Sequence, residues 1–184
     1  MTGQNAKSPP AERLYNELLV TLVQAGDRRA GHRLAARWQP RLARTARRLL
    51  GDEEAAIGTV QEAWLSILRG IGSLRDPSRF APWAFGILRR RCADRIRSAQ
   101  IDRKHGGEIT TEPAIAATAE DSLAIREAFA ALPPDQRLAA QLFFVEGLTL
   151  AEIAEVQAVP MGTAKTRLFH ARRKLKAALI GDDT

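Results

Sequence analysis

The stretch whose reading decides the fold runs from Leu132 to Leu179: LPPDQRLAAQLFFVEGLTLAEIAEVQAVPMGTAKTRLFHARRKLKAAL. Pro133 and Pro134 are tolerated in the first turn of a helix and mark the start of one. Leu138, Leu142 and Val145 recur at i, i+4 and i+7, the spacing of one buried helix face. Gly147 suits the left-handed stop that follows a helix. Thr149 with Glu152 three residues on reads as a capping box opening a second helix, whose apolar face is Ile153 and Val156. Residues 157–160 then form a tight turn. Thr163 to Leu179 reads as the last helix, with Leu168, Leu175 and Leu179 toward the core. A lead helix, a short capped helix, a tight turn and a further helix make a helix-turn-helix, and duplex DNA is the ligand that this arrangement suits.

Charge sharpens the reading. Residues 121–159 hold two basic and six acidic residues, whereas residues 160–180 hold six basic (Lys165, Arg167, Arg172, Arg173, Lys174, Lys176) and no acidic ones. A helix with a positive outer face after a tight turn is suited to the major groove. Thr163, Lys165, Thr166, Arg167, Phe169, His170 and Arg172 are spaced to reach bases or phosphates. The competing reading is a solvated helix face. The capping box, turn and lead helix together weigh against it.

Working outward, the chain has 184 residues, room for one domain or two small ones, with 45% hydrophobic content and a formal charge of +7. That apolar fraction suffices for globular cores, and the charge fits a polyanion or an acidic protein surface. A lone cysteine, Cys92, excludes an intrachain disulfide framework and a cysteine zinc site, and reads as a packed thiol. His32, His105 and His170 lie too far apart in sequence for a local metal motif. No metal or cofactor is expected. No apolar run reaches the roughly 18 residues that span a membrane, and the start MTGQNAKSPP lacks the apolar segment of a signal peptide. The expected location is the cytoplasm, without membrane insertion.

The expected fold class is all-α, with two small helical domains joined by a flexible linker and a helix-turn-helix in the second. Residues 1–10 read as a flexible tail and 11–98 as the first domain, with helices near Glu12–Ala25, Arg28–Leu50, Glu53–Arg69 and Ala81–Arg97. Gly51-Asp52 and residues 70–79 break them. Through Ser98 there are 18 basic and nine acidic residues. Residues 99–120 hold two basic and four acidic residues, with Gly106-Gly107, Pro113 and many Ala and Thr, a composition that reads as linker. Residues 121–184 form the second domain.

Two segments of the first domain stand out. One is Val60-Gln61-Glu62-Ala63-Trp64, in a helix whose apolar face is read as Ile57, Val60, Trp64, Leu68 and Ile71. The other runs from Arg79 through Phe80 and Trp83 to Arg89-Arg90-Arg91, and on to Asp94 and Arg97. Arginine holds phosphates and an aromatic ring stacks on an unpaired base, so the mixture suits single-stranded or melted DNA. Tryptophans at helical spacing read as core. Phe80, beside the loop, is the more exposed candidate. The sequence-adjacent carboxylates Glu53-Glu54 and Asp182-Asp183 give no catalytic pattern, and no Gly-rich phosphate loop or triad spacing appears.

These motifs together resemble a bacterial sigma factor of the extracytoplasmic-function group, in the sigma-70 family, over nearly the whole chain. They are VQE-x-W, then F-x-x-W with I-x-R and D-x-x-R, then LP-x-x-x-R, EGLTLAEIA and VPMGTAKTRLFHARRKL. The resemblance implies a non-enzymatic factor that binds core RNA polymerase and promoter DNA, and an anti-sigma factor that restrains it. It implies polymerase docking by Val60, Gln61, Glu62, Leu65 and Arg69. It implies −10 element handling by Phe80, Trp83, Arg89, Arg90 and Arg97, and −35 reading by the last helix, at Thr163, Lys165, Thr166, Arg167, Phe169, His170 and Arg172. It further implies that the linker lets the free chain sample several domain arrangements. Three positions depart from the family pattern. Gly58 stands where an acidic residue is usual, Arg90 where Asn is frequent, and Ala158 where the turn glycine is usual, beside Gln157 where an apolar residue is common. Alanine tolerates left-handed geometry poorly, so this turn is expected to be rebuilt or strained. The alternatives are a sigma mimic that sequesters an anti-sigma factor, and a plain helix-turn-helix regulator.

Overall fold

The computed structural model describes residues 10–104 and 123–180, and these form eight α-helices and no strands. The first domain is α1 (Pro10–Gln24), α2 (Arg28–Leu50), α3 (Glu53–Gly70) and α4 (Phe80–Lys104). Its breaks have local causes. The Asp27 carboxylate accepts hydrogen bonds from the N–H groups of Arg29 (2.7 Å) and Ala30 (3.1 Å), capping α2. Gly51 closes α2 at φ 71°, and Asp52 caps α3 by accepting from the Ala55 N–H at 2.6 Å. Between α3 and α4, two 3₁₀ turns replace the expected irregular loop. Asp76 caps the second of them, accepting from both the N–H and the hydroxyl of Ser78, and those bonds hold its carboxyl below the usual range.

Leu34, Trp38, Leu42 and Ala46 recur every fourth residue along α2 and are buried against Val60, Ala63 and Ile67 of α3 and Ala84, Phe85 and Leu88 of α4. Trp38 meets the ring of Phe80 edge-on at 5.1 Å. Cys92 is packed as expected, and burial pushes its thiol pKa up to about 12. Helix α4 outruns its expected end, so residues 99–104 of the expected linker are helical. The rest of that linker (105–120) and residues 1–9 of the expected tail lie outside the described residues.

The second domain is α5 (Leu123–Ala130), α6 (Pro134–Ala140), α7 (Leu150–Gln157) and α8 (Met161–Ile180). The Thr149–Glu152 capping box is present. One feature departs from the expected lead helix. Helix α6 continues as a π-helical turn over Gln141–Val145. A wider turn adds a residue before the next inward position. Val145, expected in the core, is therefore 36% exposed, and Glu146 is turned inward at 4%. In α8 the buried seam is Ala164, Ala171 and Leu175 with Leu168 half-buried; Leu179, expected in the core, is exposed because the helix runs past its neighbours.

One buried cluster spans the two domains, and a second, smaller one lies within the second domain, among α5, α6 and α8. Leu138, Leu142, Leu148, Ile153 and Val156 of the second belong to the same buried cluster as Trp38, Leu42, Phe85 and Leu88 of the first, and α7 packs across α4. Polar ties reinforce the contact. Arg137 donates to the carbonyl of Arg48 at 3.2 Å, and the Arg48 guanidinium sits 4.6 Å from the centre of the Phe129 ring. Burial lowers the pKa of both arginines.

Candidate nucleic-acid and partner-binding surfaces

Helix α3 is amphipathic in an unexpected register. Its inward face is Ala56, Thr59, Val60, Ala63 and Ile67. Ile57 and Leu68, expected in the core, are 51% and 54% exposed, and with Leu65 they form an apolar strip facing solvent. The error has a simple origin: α3 has two apolar faces, and periodicity does not say which one is covered. Of the residues expected to dock a partner, Gln61, Glu62, Leu65 and Arg69 lie on the open side, whereas Val60 is buried and supports them from within. Gly58 borders the strip with open space where a side chain would project. Trp64 is half-buried, and its indole N–H donates to Gln39 at 2.5 Å, tying α3 to α2.

The expected aromatic and arginine surface is rearranged more strongly. Phe80 is 1% exposed, not the exposed platform expected beside the loop. The 3₁₀ turn before it swings its ring inward between Trp38 and Trp83, with which it makes a tilted contact at 6.0 Å. Trp83 is half-buried and lies so close under Gly70 that a Cβ there would sit 3.1 Å from its ring. The three consecutive arginines splay apart: Arg90 points to solvent, Arg89 is half-buried, and Arg91 donates to the Ser66 hydroxyl at 2.8 Å. Arg97 is exposed beside Asp94 at 2.9 Å. Arg79 forms an ion pair with Glu155 of α7.

Helix α8 presents the clearest open surface. Thr163, Lys165, Thr166, Phe169 and Arg172 are exposed, together with Arg173 and Lys176, and His170 is half-buried beside the Phe169 ring. The Thr166 hydroxyl donates to the Gly162 carbonyl at 3.0 Å, leaving its oxygen lone pairs outward. Arg167 differs from its neighbours. It pairs with Asp135 at 2.7 Å and donates to the Gln157 side-chain oxygen at 3.1 Å, so it faces the lead helix and not solvent. Gln157 in turn donates to the Asp135 carbonyl at 2.8 Å. This network explains why a polar residue fills a position where an apolar one is common. The turn that follows holds Ala158 at φ 52°, ψ 49°, and among the described residues it is the only non-glycine with positive φ. The geometry is kept and strained, not rebuilt.

A buried interdomain cluster escaped the sequence reading. The Glu146 side chain is fully enclosed and receives Arg41 Nε at 2.8 Å and Arg44 Nη2 at 3.2 Å. The Gln141 amide donates to it at 3.1 Å, and Thr45 Oγ1 lies 3.4 Å away. No local signal marked it, because regular helical spacing puts Val145 inward and only the π-helical turn brings Glu146 there.

Comparison with known proteins identifies the family. Residues 34–101 match the family Sigma-70 region 2, and residues 122–175 match Sigma-70, region 4. The chain is 36% identical over 172 residues to the ECF RNA polymerase sigma factor SigM of Mycobacterium tuberculosis, covering 92% of this chain and 86% of that one. It is 27% identical over 181 residues to the ECF RNA polymerase sigma-E factor of Escherichia coli, covering 90% and 94%. The fold matches that of CnrH in complex with the cytosolic domain of CnrY, with a TM-score of 0.66, 23% identity, and 92% and 99% coverage. It also matches the sigma factor RpoE in complex with the anti-sigma factor NepR from Bartonella quintana, with a TM-score of 0.73, 24% identity, and 82% and 97% coverage. Among the described residues no helix is long and apolar enough to cross a membrane.

Proposed function

The chain belongs to the extracytoplasmic-function RNA polymerase sigma factors of the sigma-70 family, and from that premise we propose how its surfaces divide the work of promoter recognition. The first domain, about residues 11–98, docks on core RNA polymerase through the open side of α3: Gln61, Glu62, Leu65 and Arg69, with Ile57 and Leu68 supplying apolar area. The same domain handles the −10 element along α4, with Arg90 and Arg97 on phosphates, and Trp83 and Arg89 beside the displaced bases. The second domain, about residues 121–184, reads the −35 element with α8. Lys165, Thr163, Thr166 and Phe169 lie toward base edges, and Arg172, Arg173 and Lys176 toward phosphates.

The observation that carries this reading is the exposed basic face of α8 after a capped α7 and a left-handed turn. Phosphate contacts of that kind give salt-dependent affinity, and a good bidentate base contact discriminates by about 1–3 kcal/mol. The factor supplies binding energy and strand capture, and the polymerase performs the chemistry, so the protein itself is no enzyme. Its place of action is the cytoplasm. An anti-sigma protein is its expected restraint, in keeping with the complex with the anti-sigma factor NepR in which the similar RpoE fold was solved.

Run-off transcription with purified core polymerase tests the proposal, on DNA from upstream of the protein's own gene. A specific transcript that requires this protein, and that is lost with Lys165→Ala combined with Arg172→Ala, is the expected result. No transcript, with no retention of core polymerase on the immobilised protein, would overturn it.

A further inference from the structure

The segment that joins α3 to α4 consists of two 3₁₀ turns, Ile71–Ser73 and Pro77–Arg79, with Leu74, Arg75 and Asp76 between them. Several of its bonds are its own. The Ser73 hydroxyl donates to the Gly70 carbonyl at 2.7 Å, the Leu74 N–H donates to the Ile71 carbonyl at 3.2 Å, and Asp76 caps the second turn. Turns of this type are held less firmly than an α-helix, because their hydrogen bonds have poorer geometry. A tie to the rest of the domain comes from a residue outside every motif of the sequence. Gln24, the last residue of α1, donates through Nε2 to the Ile71 carbonyl and to the Leu74 carbonyl, each at 2.8 Å. Ile71 is buried and Leu74 partly so, and Gln24 holds the carbonyl of each. One amide therefore clasps both sides of the first turn, and α1 packs along both turns.

This clasp fixes position more than it adds stability. Gln24 is exposed, and water could replace either bond at small net cost. What matters is where the segment leads. It runs directly into α4, whose first residue is Phe80, with the ring turned in between Trp38 and Trp83. At its other end Gly70 lies against the Trp83 ring. Both ends of the 71–79 segment thus bear on Trp83, the half-buried ring placed beside the displaced bases in the function proposed above.

We propose that Gln24 is a positioning residue for strand capture: it fixes the 71–79 segment, and through it Trp83, in the arrangement that receives the unpaired −10 bases. The inference rests on the −10 reading of the first domain. A base that leaves the duplex gives up stacking, and a receiving surface that is already ordered adds no ordering cost of its own. Gln24 itself acts only through the carbonyls of Ile71 and Leu74.

Hydrogen exchange of the free chain, paired with promoter opening by the assembled holoenzyme, tests this. Gln24→Met keeps the length of the side chain and removes its donors. Its amides at 72–76 are expected to exchange roughly tenfold faster, while those at 60–67 in α3 and 85–92 in α4 keep their rates. On DNA from upstream of the protein's own gene, the same variant is expected to be retained by core polymerase as the wild type is, yet to expose unpaired thymines to permanganate roughly fivefold more slowly. Gln24→Lys supplies donors again and is expected to bring both readings back to within about twofold of the wild type. Unchanged exchange at 72–76 in Gln24→Met would overturn the clasp. Faster exchange with opening at the wild-type rate would overturn its part in strand capture. A fall in helix content by circular dichroism, or in core retention, alongside slower opening would make Gln24 structural and overturn the proposal. A wild-type holoenzyme that opens no promoter would overturn the −10 reading and the role in capture with it, while the exchange rates would still report on the clasp.

Discussion

Replacing Ala158 with glycine should make the protein more stable, and the structure sets the amount. Ala158 follows α7 in a Schellman arrangement: its N–H bonds to the Glu155 carbonyl at 3.0 Å, and the Val159 N–H bonds to the Ala154 carbonyl at 3.0 Å. Both bonds need φ near the observed 52°. For an L-residue with a Cβ that conformation costs about 1–2 kcal/mol. Glycine removes that strain but brings more freedom to the unfolded chain, worth roughly 0.5–1 kcal/mol against it. Ala158 is exposed, so losing its methyl sacrifices little burial. The balance is a gain of about 0.5–1 kcal/mol, or about 1–4 °C in melting temperature for a chain of this size. Ala158→Val should act oppositely, because a β-branched residue is poorly accommodated at positive φ. Urea unfolding at 25 °C, followed by circular dichroism with the slope held common, measures both. A glycine variant no more stable than the wild type, or a valine variant equal to it, would refute the argument that this turn carries strain.

Three further outcomes are expected. Gly58→Ala, in the middle of α3 with open space at its Cβ, should stabilise by about 1 kcal/mol; Gly58→Asp should in addition tighten core polymerase binding in a pull-down, and unchanged binding would remove this position from the docking surface. Lys165→Ala should weaken −35 duplex binding and lower the salt slope by about 1 if it contacts a phosphate, whereas Arg167→Ala should leave the slope intact and lower the melting temperature, because Arg167 is tied to Asp135 and Gln157. Cys92 should resist a thiol reagent in the native state at pH 8 and react only on unfolding. Its pKa rises from an ordinary 9.0 to about 12 on folding, so the stability it contributes is complete below about pH 9 and is lost as pH climbs toward 12. Rapid native labelling at pH 8 would contradict its burial.

The helices were legible because their signals are local. Asp27 and Asp52 cap helices that start on the next residue, Gly51 ends one at positive φ, and Thr149 and Glu152 form the box that their spacing predicts. What the sequence hid depends on neighbours that no local pattern names. Ile57 and Leu68 looked like core because α3 is apolar on two sides, and only the partner of each side tells them apart. Phe80 looked exposed because it follows a loop, but two 3₁₀ turns steer it under Trp38. Arg167 sits among residues that face outward, yet its partners are Asp135, on the lead helix, and Gln157, at the end of α7. The inward turn of Glu146 rests on a single π-helical turn, a departure from regular geometry that apolar periodicity cannot register.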